Sequence, residues 1–280
     1  MTAAQALAAA AARLRAAGVD DPARDARVLL AHAAKVDATR ITLIAPEDLD
    51  PDIATRFDQL ISLRAVRVPV SHLVGERAFY GRNFKVSADV LDPRPETETL
   101  IEAALADPFG SVLDLGTGSG CILVTLLCER DHAVGLGVDL SEAACLQASA
   151  NAHLHHVARR ADIKTSDWFG SITGTFDLIV SNPPYLSWED MQNVQPELAR
   201  HEPRMALTDE ADGLTAYRLI AEHSRQFLEP DGRVLVEIGW TQGAAVADLF
   251  TKSGWSNVTV LPDLDGRDRV VLARHPAQSR

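Results

Sequence analysis

From Ser111 onward, short apolar runs alternate with helix-length segments. That alternation restricts the fold to a mainly parallel, doubly wound α/β sheet. Residues 112–115, 134–139, 162–165, 176–181 and 232–238 read as strands, and 258–261 and 269–273 as the closing pair. Helices are expected near Ser119, from Ser141, over 214–228 and over 243–251. A sheet of this kind places its ligands at the C-terminal ends of the strands.

The first part of the chain reads differently. Residues 3–17, 22–35 and about 50–65 carry helix-forming Ala and Leu, with Gly18 ending the first helix and Pro22 starting the second. Ala26, Leu29, Leu30 and Ala33 give one apolar helical face. Between Pro69 and Pro95, Val70, His72 and Val74, then Phe84, Val86 and Val90, suggest short strands around a Tyr80-Gly81 turn. The expected division is a helical unit over 1–68, a hairpin linker over 69–95 and a larger α/β unit over 96–280. A chain of 280 residues can bury a core in each part without disulfide or metal support. Cys121, Cys128 and Cys145 form no CxxC pair, so they read as small buried hydrophobes of a reducing compartment.

The net charge of −12 is unevenly placed. Residues 1–70 hold nine basic and nine acidic groups, so the acidic excess lies beyond them. No basic run marks a duplex nucleic-acid face. No apolar stretch reaches membrane-spanning length. The alanine-rich start lacks the basic n-region of a signal peptide, since Arg13 and Arg15 follow it. A soluble, cytoplasmic protein is expected.

Three elements point to a ligand site. Asp114-Leu-Gly-Thr-Gly-Ser-Gly120 follows a strand and opens a helix. Its glycine spacing is neither the dinucleotide form nor a Walker loop. Alone it points toward a ligand, with a tight turn that binds nothing as the plainer alternative. Asp139 ends the next strand, where a carboxylate accepts both hydroxyl hydrogens of a ribose, while Ser141 serves as helix cap. The pair resembles the cofactor site of class I S-adenosylmethionine-dependent methyltransferases. That resemblance sets Ser166-Asp167-Trp168-Phe169 beside an adenine, with Asp167 toward its amine and Trp168 against its ring. Core packing for Trp168 and a turn for Asp167 are the plainer alternatives.

The stretch Asn182-Pro183-Pro184-Tyr185 is the most informative. Two prolines fix an extended backbone and remove two N–H donors. The Asn182 side-chain oxygen and the Pro183 carbonyl can accept from one planar NH2 group, and Tyr185 can stack on it. Amide and base nitrogens are poor nucleophiles. Two acceptors on such a group stabilise the positive charge that grows during attack and aim the lone pair.

Together these stretches resemble the bacterial protein-(glutamine-N5) methyltransferases that modify peptide chain release factors. Further matching stretches are Phe79-Tyr-Gly-Arg-Asn-Phe84, Pro93-Arg-Pro-Glu-Thr-Glu98, Glu202-Pro-Arg-Met-Ala-Leu207, Gly213-Leu-Thr-Ala-Tyr-Arg218, Glu237-Ile-Gly-Trp-Thr-Gln242 and Asp265-Gly-Arg-Asp-Arg-Val270. The resemblance implies a class I Rossmann-like domain with a helical N-terminal unit that contacts the protein substrate. It implies methyl transfer from S-adenosylmethionine to the glutamine of a Gly-Gly-Gln loop, with S-adenosylhomocysteine as product. The implied cofactor residues are Gly116, Thr117, Gly118, Ser119, Gly120, Asp139, Asp167, Trp168 and Asn182. The implied acceptor-binding residues are Asn182, Pro183, Pro184 and Tyr185. One departure stands out: Asp92 occupies a place where the family usually has an aliphatic residue. It reads as paired with Arg94 or solvated.

Rival readings are an adenine-N6 or cytosine-N4 nucleic-acid methyltransferase, a glutamine methyltransferase of a ribosomal protein, and a non-catalytic binding protein. The acidic balance opposes the first, the Pro-Arg-Pro-Glu-Thr-Glu form favours the release-factor branch over the second, and the intact motifs oppose the third. No membrane or direct nucleic-acid partner is expected. No metal is expected either, because His153, His155 and His156 do not share a helical face.

Overall fold

The computed structural model describes residues 1–275. They divide into two compact units: Met1–Glu76 with Gln195–His201, and Arg77–Val194 with the described chain from Glu202 onward.

The first unit opens with α1 (Ala3–Ala16), α2 (Pro22–Ala34), α3 (Ile41–Ile44), α4 (Pro51–Ala65) and α5 (Val70–Val74). Local chemistry sets the starts. Thr2 and Gln5 form a reciprocal capping box on α1, Asp21 caps α2 ahead of Pro22, and Asp50 caps α4 ahead of Pro51. The core gathers Ala6, Leu14, Leu29, Leu30, Ile41, Phe57 and Ile61.

Residues 70–74 are helical rather than extended. Val70, Leu73 and Val74 recur at helical spacing and pack on this core, and Gly75 ends the turn at φ 77°. The helical unit thus continues past residue 68, to Glu76.

The second unit starts at Arg77, inside the hairpin of β1 (Glu76–Phe79) and β2 (Arg82–Lys85). Tyr80 and Gly81 both have positive φ, as a two-residue hairpin turn requires. Val86 and Val90 lie beyond the strands and bury against Ala144. There follow α6 (Glu98–Leu105), β3 (Ser111–Leu115), α7 (Cys121–Glu129), β4 (Val134–Asp139), α8 (Glu142–Leu154), β5 (Ala161–Thr165) and β6 (Phe176–Ser181). The chain then passes through α9 (Pro196–His201), which belongs to the helical unit. It returns as α10 (Thr215–His223), β7 (Leu228–Glu237), α11 (Gly243–Lys252), β8 (Ser256–Pro262) and β9 (Asp268–Arg274).

The seven-stranded sheet has the order β5-β4-β3-β6-β7-β9-β8. The first five strands of that order pair in parallel, and β9 pairs antiparallel with both β7 and β8. Strand order reverses around β3, whose neighbours are β4 and β6. In register, Leu115 stands beside Val138 on one side and Ser181 on the other. Two apolar layers flank the sheet, one built around Leu100, Leu123, Leu126 and Leu178, the other around Leu113, Ile179, Tyr217 and Phe250. No helix among the described residues is long and apolar enough to cross a membrane.

Candidate active site

The crevice where strand order reverses opens into a cavity of about 630 Å³. Gly116 to Ser119, Asp139, Asp167, Trp168, Asn182 and Pro184 all line it. Gly120, Pro183 and Tyr185 do not.

The glycine turn is held from three sides. Gly116 and Thr117 both donate backbone N–H to the Val138 carbonyl at 2.9 Å, and Gly118 donates to Asp139 Oδ2 at 2.9 Å. Asn151, fully buried, donates to the Ser119 carbonyl at 2.8 Å and exchanges hydrogen bonds with the backbone of Lys85. Gly120 sits at φ 78°, and a Cβ there would lie 3.0 Å from that of Ala148, so α8 packs directly on the turn. A Cβ at Gly116 would meet nothing within 4 Å. The turn therefore presents bare backbone to open space.

Beneath it, Asp114 is fully buried and its Oδ2 accepts from the Thr117 hydroxyl at 2.7 Å. Burial pushes its carboxyl up to about 7 against that hydrogen bond. Asp139 also accepts from its own helix start, Ser141 N–H to Oδ1 at 2.9 Å, while Ser141 caps α8 through Ala144.

Trp168 holds a left-handed backbone, φ 45°, costly for a bulky residue. The Ser166 hydroxyl fixes it by donating to the Trp168 carbonyl at 2.9 Å while accepting from Ser171 N–H. The indole packs on the core beside Phe169 and borders the cavity, whereas Asp167 is exposed.

The Asn-Pro-Pro-Tyr segment leaves β6 next to the glycine turn. Asn182 donates from Nδ2 to Thr97 Oγ1 at 3.3 Å, while its Oδ1 is buried without a partner. Tyr185 turns from the cavity lining into the core. Burial raises its phenol to about 12, and its backbone carbonyl accepts from Gln242 Nε2 at 2.9 Å.

Asp92 and Arg94 do not pair. Arg94 donates to both Glu202 oxygens, at 2.5 and 2.7 Å, from 108 residues along the chain. Asp92 is 4% exposed, with Arg77 Nε 3.7 Å from its Oδ2. Nothing in the sequence marks a contact between residues so far apart. The sequence also left Thr97, Asn151 and Glu237 without roles, although two of them lie in the matching stretches. A carboxylate closing the apolar run Val234-Leu-Val-Glu237 was the available signal. Among the described residues no group of His, Cys, Asp or Glu is placed to hold a metal. His153 and His155 instead bond the carbonyls of Ser149 and Asn83 at 2.9 Å each.

Two family models match the chain. Residues 5–75 match the family model described as PrmC N-terminal domain, and 85–209 match the methyltransferase small domain. In fold, a methyltransferase from Pyrococcus furiosus gives a TM-score of 0.54 at 15% identity, covering 71% of this chain and 91% of that one. The hMettl16 catalytic domain gives 0.59 at 14% identity, covering 79% and 84%. At those identities the likeness is one of architecture. In sequence, a release factor glutamine methyltransferase from Rhodospirillum rubrum is 42% identical, covering 95% of this chain and 82% of its own. Another from Cereibacter sphaeroides is 55% identical, covering 99% of this chain and 100% of its own. Likeness of that depth, over nearly the whole of the chain, places this chain in the release factor glutamine methyltransferase family.

Proposed function

We propose that this protein transfers a methyl group from S-adenosylmethionine to the side-chain amide nitrogen, N5, of the glutamine in the Gly-Gly-Gln loop of peptide chain release factors. The observation that carries this reading is the Asn182 amide, which donates one hydrogen bond from Nδ2 to Thr97 and whose buried oxygen has no partner. A buried acceptor left open costs stability unless a ligand fills it, and a planar NH2 is the group that fits.

The residues present fit the cofactor. The cavity has the volume of a small-molecule site, which spans about 300–1,000 Å³. The bare glycine turn leaves room that a Cβ would fill. Each Asp139 oxygen accepts one backbone N–H and keeps a further lone pair for a ribose hydroxyl. Trp168 would flank the adenine and Asp167 would accept from its amine. When bound, S-adenosylmethionine supplies a methyl group on a positively charged sulfur.

The chain's own residues prepare the acceptor. Asn182 Oδ1 and the Pro183 carbonyl hold the two hydrogens of the glutamine amide and aim its lone pair. They oppose the positive charge that develops on nitrogen. No side chain has to take a proton before attack, because the nitrogen becomes acidic only after methylation. Tyr185 braces the segment from the core side. The helical unit is read as the part that docks the release factor.

The test is incubation with labelled S-adenosylmethionine and a release factor. Label on the Gly-Gly-Gln glutamine, and none on a variant lacking that glutamine, is the expected result. Label on nucleic acid with none on the release factor would overturn the reading.

A further inference from the structure

The chain beyond Tyr185 carries side chains that the chemistry above leaves unused. Arg204, Met205 and Glu210 line the same cavity as Asn182 and Pro184. The Arg204 guanidinium lies over the indole of Trp188, 5.5 Å from the ring centre, and Trp188 is 54% exposed. We infer that this indole is a specificity-determining face, which receives the glycine backbone adjoining the acceptor glutamine of the release factor; this rests on the acceptor reading given above.

An exposed apolar side chain by itself needs no explanation, but Trp188 is held in place. Its backbone N–H donates to the Ala211 carbonyl at 2.9 Å, and Leu186 N–H donates to the Leu207 carbonyl at 2.9 Å. A parallel bridge joins Leu186 to Thr208. Beyond it, Asp190 Oδ2 accepts from the Ser187 N–H at 3.0 Å and from the Ser187 hydroxyl at 2.6 Å. Arg204 is fixed in turn. Its Nε and Nη2 donate to the two Glu210 oxygens, Nη2 at 2.9 Å. Paired fork to fork, the guanidinium keeps a set plane against the ring. Trp188, Arg204 and Glu210 thus form one ordered stack that continues the cavity wall outward.

Charge selects the kind of partner. The two arginines of the cavity wall, Arg94 and Arg204, are both taken by carboxylates, Glu202 and Glu210. Asp92, Asp139, Asp167 and Asp209 add acidic groups to the same wall. A single-stranded nucleic acid stacks its bases on aromatic rings but needs cations along its phosphates. Among the described residues this wall offers no unpaired one. An uncharged peptide backbone suits it instead. Against a flat ring, a backbone without side chains makes the closest approach. A β-carbon beside the glutamine would hold the peptide plane away from the indole.

The test sets wild type, Trp188→Ala and Trp188→Phe against two release factors, one with the Gly-Gly-Gln loop and one with alanine in place of the glycine before the glutamine. KM and the rate at saturation are measured for each pairing, with calorimetric cofactor affinity and melting temperature alongside. Trp188→Ala should raise the KM for the Gly-Gly-Gln release factor about tenfold. Its saturated rate, cofactor affinity and melting temperature should stay close to wild type. Wild type should favour the glycine loop over the alanine loop by about tenfold in kcat/KM, and Trp188→Ala should lose most of that preference. Trp188→Phe keeps a flat ring and should recover most of both effects. A KM for Trp188→Ala within about twofold of wild type overturns the inference, as does a raised KM with the glycine preference intact. A loss confined to cofactor affinity and melting temperature makes Trp188 a packing residue only. In each of these cases the glutamine is still methylated by wild type, so the acceptor reading stands. If wild type methylates nucleic acid and not the release factor, the acceptor reading fails and this inference with it.

Discussion

Asp139 spends both carboxylate oxygens inside the fold, one on Gly118 at the glycine turn and one on Ser141 at the start of α8. The proposed ribose anchor is therefore also the anchor of the turn. Asp139→Ala should weaken S-adenosylmethionine binding roughly tenfold to a hundredfold, since hydrogen bonds to charged groups contribute about 1.5–3 kcal/mol. Calorimetry checks this, and unchanged affinity would remove Asp139 from the site. Asn182 is proposed to act in the chemical step instead. By analogy with the loss of one oxyanion-hole partner, Asn182→Ala should lower single-turnover rates on the order of a hundredfold to a thousandfold while cofactor binding changes modestly. A rate within about threefold of wild type would contradict that assignment. Both residues were legible because each ends a predicted strand, and strand ends converge in a doubly wound sheet. Thr97 was not, because it meets Asn182 from 85 positions away in the chain. The Asp92–Arg94 pair that the sequence offered does not form for the same reason: Asp92 is two positions from Arg94, but the partner of Arg94 in space is Glu202.

Among the elements, the glycine turn separates two demands that sequence spacing leaves merged. Gly120 serves packing, with Ala148 at 3.0 Å from an added Cβ, while Gly116 faces open space within the cavity wall. Both lie at positive φ, where a non-glycine residue costs about 1–3 kcal/mol. Gly120→Ala should lose more stability than Gly116→Ala, because a clash adds to the backbone strain. Gly116→Ala should lose more cofactor affinity relative to its stability. Paired thermal melts and titrations check the contrast, and equal losses in both would count against it. The alternation of strands and helices was readable from apolar periodicity. The helix α5 was not, because a five-residue run with Val at both ends also fits a strand. Its packing on the helical core and the left-handed Gly75 decide the matter.

For the whole molecule, two fully buried carboxyls shape the pH dependence of stability. Asp114 and Glu237 are both raised to about 7, from ordinary values of 3.8 and 4.5, chiefly by burial. Between those limits the native state binds more protons than the unfolded state, so their contribution to stability falls as pH rises and levels off above about 7. Glu237→Gln should flatten part of that decline in denaturant titrations, and an unaltered slope would contradict it. Glu197 on α9 has the opposite sign. Burial alone would raise it, but hydrogen bonds from Arg67 and Arg64 hold it below its ordinary value. Arg64, itself buried, also meets Asp25 at 2.7 Å, and Glu197 meets Arg64 at 3.0 Å and Arg67 at 2.7 Å. This network has a bearing on how such proteins can be recombined. The helical unit is written in two places along the chain, so no single breakpoint transplants it. A chimera that takes only residues 1–76 from a distant relative inherits a foreign socket for Glu197, and removal of one partner from a buried charged network costs about 3–5 kcal/mol. Exchanging 195–201 together with 1–76 should restore the lost stability, and hybrids between relatives are expected to survive when their parents agree at both segments.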